Sequence, residues 1–153
     1  MKLQKEAIEG SKFFEGLRTW QVKRVVLLGR LLEKKEGELA ITQGEAGKSM
    51  HLLLEGEAEV VRRDPETGRK MTLARLKPGD IFGEIALVEP GPRSADVRAL
   101  RPLKTLEIDW EGLKRIQRIY PRIGGRLFLN LSRILGQRLV QTDKLLLDKP
   151  GEE

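Results

Sequence analysis

From Leu31 to Gly79 the chain never runs more than nine residues before a glycine or proline turn interrupts it. Segments at 31–35, 38–42, 50–55, 57–63 and 69–76 are closed by Gly37, Gly44, Gly56, the run Asp64-Pro65-Glu66-Thr67-Gly68, and Pro78-Gly79. Glycine at such turns supplies positive φ at little steric cost, and the spacing is that of an antiparallel roll. Within 69–76, Met71, Leu73 and Arg75 alternate with Thr72, Ala74 and Leu76, the period of two that a strand requires. Ala95, Val97 and Ala99 alternate in the same way with Ser94, Asp96 and Arg98, and a last strand is expected at 103–108. Sixteen glycines and an aromatic content of only 5% fit many short elements joined by turns. About eight strands make a jelly-roll-like barrel. The expected fold is therefore α+β and mainly β. N-terminal helices cover 1–30, the roll 31–108, and C-terminal helices 109–148, in one domain over 1–153.

One stretch of that roll, 79–97, carries chemistry. Gly83-Glu84 opens a four-residue apolar run, Ile85 to Val88, too short for a full helix. The first turn of any helix has backbone N–H groups without internal partners, and such a nest attracts anions. Pro90-Gly91-Pro92 then delivers Arg93 and Ser94 to the start of a strand. Arg93 brings a planar, always-charged fork matched to phosphate oxygens. Glu84, at the same mouth, suits a sugar hydroxyl rather than the phosphate.

Gly83-Glu84-Ile85-Ala86-Leu87 followed by Pro92-Arg93-Ser94-Ala95 closely resembles the phosphate-binding cassette of cyclic-nucleotide-binding domains. Such domains occur in catabolite-activator-type regulators, cyclic-nucleotide-dependent kinases and gated channels. The resemblance extends over roughly 11–147 and implies a double-stranded β-helix roll that encloses a nucleotide. It implies that Arg93 pairs with the exocyclic phosphate oxygens and that N–H groups around Ile85, Ala86 and Ser94 complete the nest. Glu84 would accept from the ribose 2′-OH, with Gly83 allowing close backbone approach. Ser94 would bond phosphate or base. The implied ligand is cAMP or cGMP, ranked in that order on family frequency, with no further cofactor. A gap-free count along the last helix puts Arg138 and Leu139 where the bacterial cAMP regulators carry a Thr-Ser pair that reaches adenine. Arg138 is thus a candidate base contact, and an arginine, which only donates, suits guanine O6 and N7 better than adenine.

The flanks read as scaffold. Residues 2–9 have helical composition, with Gly10 as the stop. Phe13, Phe14 and Leu17 precede a second helix, for which Thr19 is the expected N-cap and Trp20, Val22, Val25, Val26 and Leu28 the apolar face. Asp109 caps a helix over 110–119, which Tyr120-Pro121 breaks. A long helix is expected from Arg122 to Asp148. Phe128, Leu131, Leu135, Leu139, Thr142 and Leu146 form its stripe, widened by Leu127 and Ile134. A stripe this wide allows two contacts, the roll and a second protomer, so this helix reads either as the seam of a homodimer or as packed on its own roll alone. Gly124-Gly125 offers either a hinge or a close packing point.

The net charge is +6, and Trp110 to Lys149 holds nine Lys or Arg against three acids, an excess equal to the whole. A basic helix of this kind either touches nucleic acid or is a solvated face, and the second is preferred. The four residues after Lys149 carry no helix-turn-helix, so DNA binding by the regulators' usual route is not expected. An effector protein of unknown kind would take the output.

Gly44-Glu45-Ala46-Gly47-Lys48-Ser49 imitates the end of a P-loop, but Thr42 stands where its first glycine belongs and a strand, not a helix, follows. His51 is the single histidine and there is no cysteine. That argues against a metal cluster, a disulfide frame and nucleophilic triads, so the chain is not expected to be an enzyme. No apolar run reaches the ~18 residues that cross a bilayer, and the N-terminus lacks a signal core. A cytoplasmic location, without membrane contact, is expected. Two further readings remain: a docking module of the same fold that binds no nucleotide, and a basic nucleic-acid binder.

Overall fold

In the computed structural model residues 2–148 are described, with side chains over 4–141. Thr142 and Leu146 of the apolar stripe, and the charges at Asp143, Lys144, Asp148 and Lys149, lie outside the described side chains. The chain opens with α1 (Lys2–Glu9), a 3-10 turn (Lys12–Phe14) and α2 (Thr19–Val26). Strands β1 (Arg30–Lys34), β2 (Leu39–Ile41), β3 (Ala46–Gly47), β4 (Ser49–Glu55), β5 (Ala58–Arg63), β6 (Lys70–Leu76) and β7 (Ile81–Phe82) follow. Next come the single turn α3 (Ile85–Val88), then β8 (Gly91–Pro92), β9 (Asp96–Ala99) and β10 (Leu103–Asp109). Helices α4 (Trp110–Ile119) and α5 (Pro121–Asp148) close the described chain. The fold is mainly β, a roll with helices at both ends, as its sequence indicates.

Two four-stranded antiparallel sheets form the roll, in the orders β1-β10-β4-β7 and β2-β9-β5-β6, with β3-β8 as a small third pair. β4 explains how the sheets share a core. Its run Met50 to Leu54 is buried on both faces. Side chains alternate across a strand, so Met50, Leu52 and Leu54 join the helical cluster with Phe13, Leu113, Ile123 and Leu127. Leu53 faces the other way, into the roll, with Ile41, Phe82, Val97 and Leu103. Each fully buried side chain of this kind contributes ~1.5–3 kcal/mol.

The helical ends are tied by polar groups. Asp109 Oδ1 accepts from Gly112 N at 2.6 Å and caps α4. Asn130 of α5 donates to Phe13 O and Glu15 O, both at 2.8 Å, which pins the long helix over the 3-10 turn.

Four details depart from the sequence reading. Arg18, not Thr19, is the N-cap of α2, and its N–H donates to Gln21 Oε1 at 2.9 Å. Trp20 is half exposed, because only Val22, Val25 and Val26 of α2 turn toward the core. β6 is an edge strand, so its alternation does not become burial, and every residue but Leu76 is exposed. The buried line of α5 is Ile123, Leu127, Leu131 and Ile134, while Leu139 lies on the exposed side of the helix. At the start of α5, a Cβ on Gly124 would meet Gln117 Cα of α4 at 2.7 Å, so this glycine permits a close helix crossing. Among the described residues no helix is long and apolar enough to cross a membrane.

Candidate functional site

The turn after β7 needs glycine. Gly83 has φ +71°, and a Cβ there would stand 2.8 Å from Arg93 Nη1 and 2.9 Å from Ile41 Cδ1. The chain then makes its one helical turn, α3, with Glu84 at the N-cap. The Ala86 N–H is turned back onto Gly83 O at 3.2 Å. β8 returns to pair with β3, Gly91 opposite Gly47 and Pro92 opposite Ala46. Two backbone bonds of 2.8 Å, Arg93 N to Glu45 O and Gly44 N to Arg93 O, then fix the Arg93 backbone against the preceding turn.

This clamp sets the arginine side chain. Arg93 Nη1 donates to Gly83 O at 3.0 Å, and Nη2 donates to Ser49 O at 2.8 Å. The Ser49 hydroxyl stands a further 3.3 Å from Nη2. Gly47 is the floor, since a Cβ on it would fall 2.4 Å from Arg93 Nε. The Gly-Lys-Ser sequence that imitates a P-loop is therefore the seat of an arginine. Burial pulls the half-buried Arg93 guanidinium down from its ordinary value, and the negative charge of Glu107 opposes that.

Glu84 lies deeper, only 4% exposed. A carboxylate buried to that degree needs a partner, and it has one in Arg138 of α5, with which it forms an ion pair. Arg138 Nη2 also donates to Ile81 O at 2.7 Å. Burial lowers this guanidinium as well, with Asp80 opposing.

Between these groups lies a cavity of about 430 Å³, within the range of small-ligand sites. Gly83, Glu84, Ile85, Ala86, Arg93, Ser94 and Arg138 all line it, so the roll gathers every residue singled out from the sequence. Ile41, Phe82 and Val97 supply apolar wall. The Ile85 and Ser94 side chains are exposed at its mouth. Gly47 and Ser49 seat Arg93, a part that sequence reasoning set aside although their pattern was visible. His51 is buried beside the site, its ring stacked on Phe82 at 4.9 Å.

An anion clamp of backbone-held arginine, a buried carboxylate and an apolar wall suits a ligand with phosphate, hydroxyl and flat ring. Comparison with known proteins agrees in kind. The model of the cyclic nucleotide-binding domain family matches residues 31–120. The chain is 24% identical over 143 residues to a CRP-like cAMP-activated global transcriptional regulator of Mycobacterium tuberculosis, covering 94% of this chain and 62% of the relative. The chain thus spans less than two thirds of that curated relative. It superposes on the catabolite activator protein of Thermus thermophilus with TM-score 0.81 at 29% identity, over 89% of this chain and 62% of the other. A cyclic nucleotide-binding domain from Methylobacillus flagellatus gives TM-score 0.85 at 24% identity, over 99% of this chain and 85% of the other, a likeness of fold.

Proposed function

This chain belongs to the cyclic nucleotide-binding domain family, and we propose that it is a sensor that takes up cAMP, or second to it cGMP, in the cavity around Arg93. The observation that carries the reading is the fixed guanidinium. Two backbone carbonyls, Gly83 O and Ser49 O, hold it at the mouth of a cavity sized for a small ligand. Its remaining N–H groups reach the exocyclic phosphate oxygens. The N–H groups at Ile85, Ala86 and Ser94 and the Ser94 hydroxyl complete the phosphate site, and Ala86 gives up its bond to Gly83 O to do so. Glu84 accepts from the ribose 2′-OH, and the apolar wall takes the base. Arg138, on the same carboxylate, is the α5 residue through which ligand binding at Glu84 reaches the helix.

Binding is the activity in this reading, and no residue is assigned to catalysis. The signal leaves through α5, which carries Arg138 into the cavity and exposes Leu129, Leu139 and Val140 to a second protomer or an effector protein. The protein would act in the cytoplasm.

Calorimetric titration with cAMP tests the reading. A charge-assisted hydrogen bond is worth ~1.5–3 kcal/mol, roughly ten- to a hundredfold in affinity, and Arg93 makes more than one. Arg93→Ala is expected to abolish binding at micromolar cAMP while leaving the fold intact. Wild-type affinity in that variant would remove the assignment.

A further inference from the structure

We propose that Ser49 and Glu107 are positioning residues for Arg93, forming a polar chain that runs from the outside of the roll to the cavity and fixes the direction of the guanidinium. The inference rests on the cyclic-nucleotide reading and adds to it two residues outside the cassette.

The Ser49 hydroxyl has one proton, and it donates that proton to Glu107 Oε2 at 2.9 Å. Its lone pairs are then left for Arg93 Nη2 at 3.3 Å. The polarity of the chain is thus set: Arg93 to Ser49, Ser49 to Glu107. Glu107 is anchored in turn. It sits opposite Arg30 in the β1–β10 pairing and opposite His51 in the β10–β4 pairing. Arg30 pairs with its Oε1, and His51 Nε2 lies 3.5 Å from its Oε2. Ser49 and His51 are two apart on β4 and so share a face.

Three consequences bear on the ligand. With Gly83 O, Ser49 O and Ser49 Oγ, three of the five N–H groups of Arg93 are committed. That defines both the plane of the fork and the edge it shows to a phosphate. Glu107 brings one negative charge to a half-buried cation that has no carboxylate directly bonded among the described residues. His51, stacked on Phe82 and bonded at Nδ1 to Thr105 Oγ1 at 3.1 Å, stands beside the same Glu107 oxygen that takes the Ser49 proton, without adding charge when neutral.

A phosphate with two exocyclic oxygens reads such a direction. Replacing one oxygen by sulfur gives two diastereomers of cAMP, and a fixed guanidinium binds one better than the other. The experiment measures affinities of cAMP and both phosphorothioates for wild type, Ser49→Ala, Ser49→Thr and Glu107→Gln. Ser49→Ala keeps the carbonyl bond to Arg93 and loses only the relay. Expected are a roughly three- to tenfold weaker cAMP affinity and a diastereomer ratio that falls toward one. Ser49→Thr, which keeps the hydroxyl, should restore both values, and Glu107→Gln should behave like Ser49→Ala. Equal weakening of both diastereomers with the ratio preserved means support of the fold only, and overturns the proposal. Unchanged affinity and ratio overturn it too, while the functional reading stands. Absence of cAMP binding by wild type overturns that reading and this inference together. Should Glu107→Gln fail to fold, Ser49→Ala decides alone.

Discussion

The two arginines of the cavity are held in opposite ways. Arg93 is fixed by backbone: Gly83 O and Ser49 O take its fork, and sheet bonds at Gly44 and Glu45 fix its own chain. Arg138 also reaches a carbonyl, Ile81 O, but its charge rests on a side chain, Glu84, and it arrives on one helix packed against the roll. Backbone positions inside a roll cannot move without breaking the sheet. A helix face can shift as a body, because its contacts are side chains that repack. In the proposed reading the Arg93 end of the cavity is therefore a fixed receptor for phosphate, and the far end the part that α5 can carry away. A ligand that grips both ends couples the sheet to the helix.

The strongest way to break this comparison is to disturb the fixed end without touching Arg93. In Gly47→Ala the new Cβ would lie 2.4 Å from Arg93 Nε, and the side chain must leave its seat. The arginine is flexible enough to yield, so the fold survives and the phosphate contact does not. The expected loss in cAMP affinity is roughly ten- to a hundredfold, with thermal melting of the free protein almost unchanged. Undiminished affinity would mean that Arg93 is less tightly seated than its carbonyl bonds indicate.

Gly47 also shows what the sequence could and could not convey. The strands, the capped helix at Asp109 and the cassette itself were legible because each is written locally: glycine turns, alternation, one carboxylate before a helix, Gly-Glu at fixed distance from Arg-Ser. All seven residues proposed for the site line one cavity. Gly-Lys-Ser was legible only as a failed P-loop, since its role depends on β8 pairing with β3, about 45 residues apart, and local pattern carries no register between distant strands. The same holds for Glu107, whose partners Arg30, Ser49 and His51 come from two other strands. The Glu84–Arg138 pair was half legible: Arg138 could be brought to the cavity by counting, but what it touches there is set by the packing of α5. β6 misled for another reason, because alternation predicts two faces and cannot say that a strand lies at an edge.

A smaller effect sharpens the fixed end by acid. Burial pushes the His51 imidazole down to about 4, against an ordinary value of 6.5. The unfolded chain then binds a proton below about 6.5 that the folded protein refuses, so stability rises with pH in this interval and is lost on acidification. That contribution is fully present above 6.5 and has gone by about 4. Glu107 starts from an ordinary 4.5. Burial raises it, but the hydrogen bonds from Arg30 and Ser49 outweigh burial and leave it lower, so its own loss comes below that value. Between 6.5 and 4.5 the histidine therefore contributes and Glu107 does not. Thermal melting of wild type should fall across it, and His51→Gln, which has nothing to protonate there, should follow a flatter curve. Parallel curves would show that the histidine is not desolvated behind the site.

The smallest expected effect tests the movable end. Arg138 could serve as a reader of the base, for which guanine O6 and N7 would be its natural acceptors. Its guanidinium is instead spent on Glu84 and on Ile81 O, both at the sugar side of the cavity in the proposed pose. The ribose is common to cAMP and cGMP, so a residue acting through Glu84 cannot tell the two apart. Its side chain is 42% exposed, and a glutamine there can still donate to Glu84. Arg138→Gln is therefore expected to shift cAMP and cGMP affinities by one common factor, below roughly tenfold, in a competition assay. A loss confined to cGMP, ten times or more beyond that for cAMP, would put Arg138 on the base. It would also make α5 a reader of ligand identity rather than a lever on the ribose carboxylate, and the contrast between a fixed and a movable arginine would become one between two recognition elements.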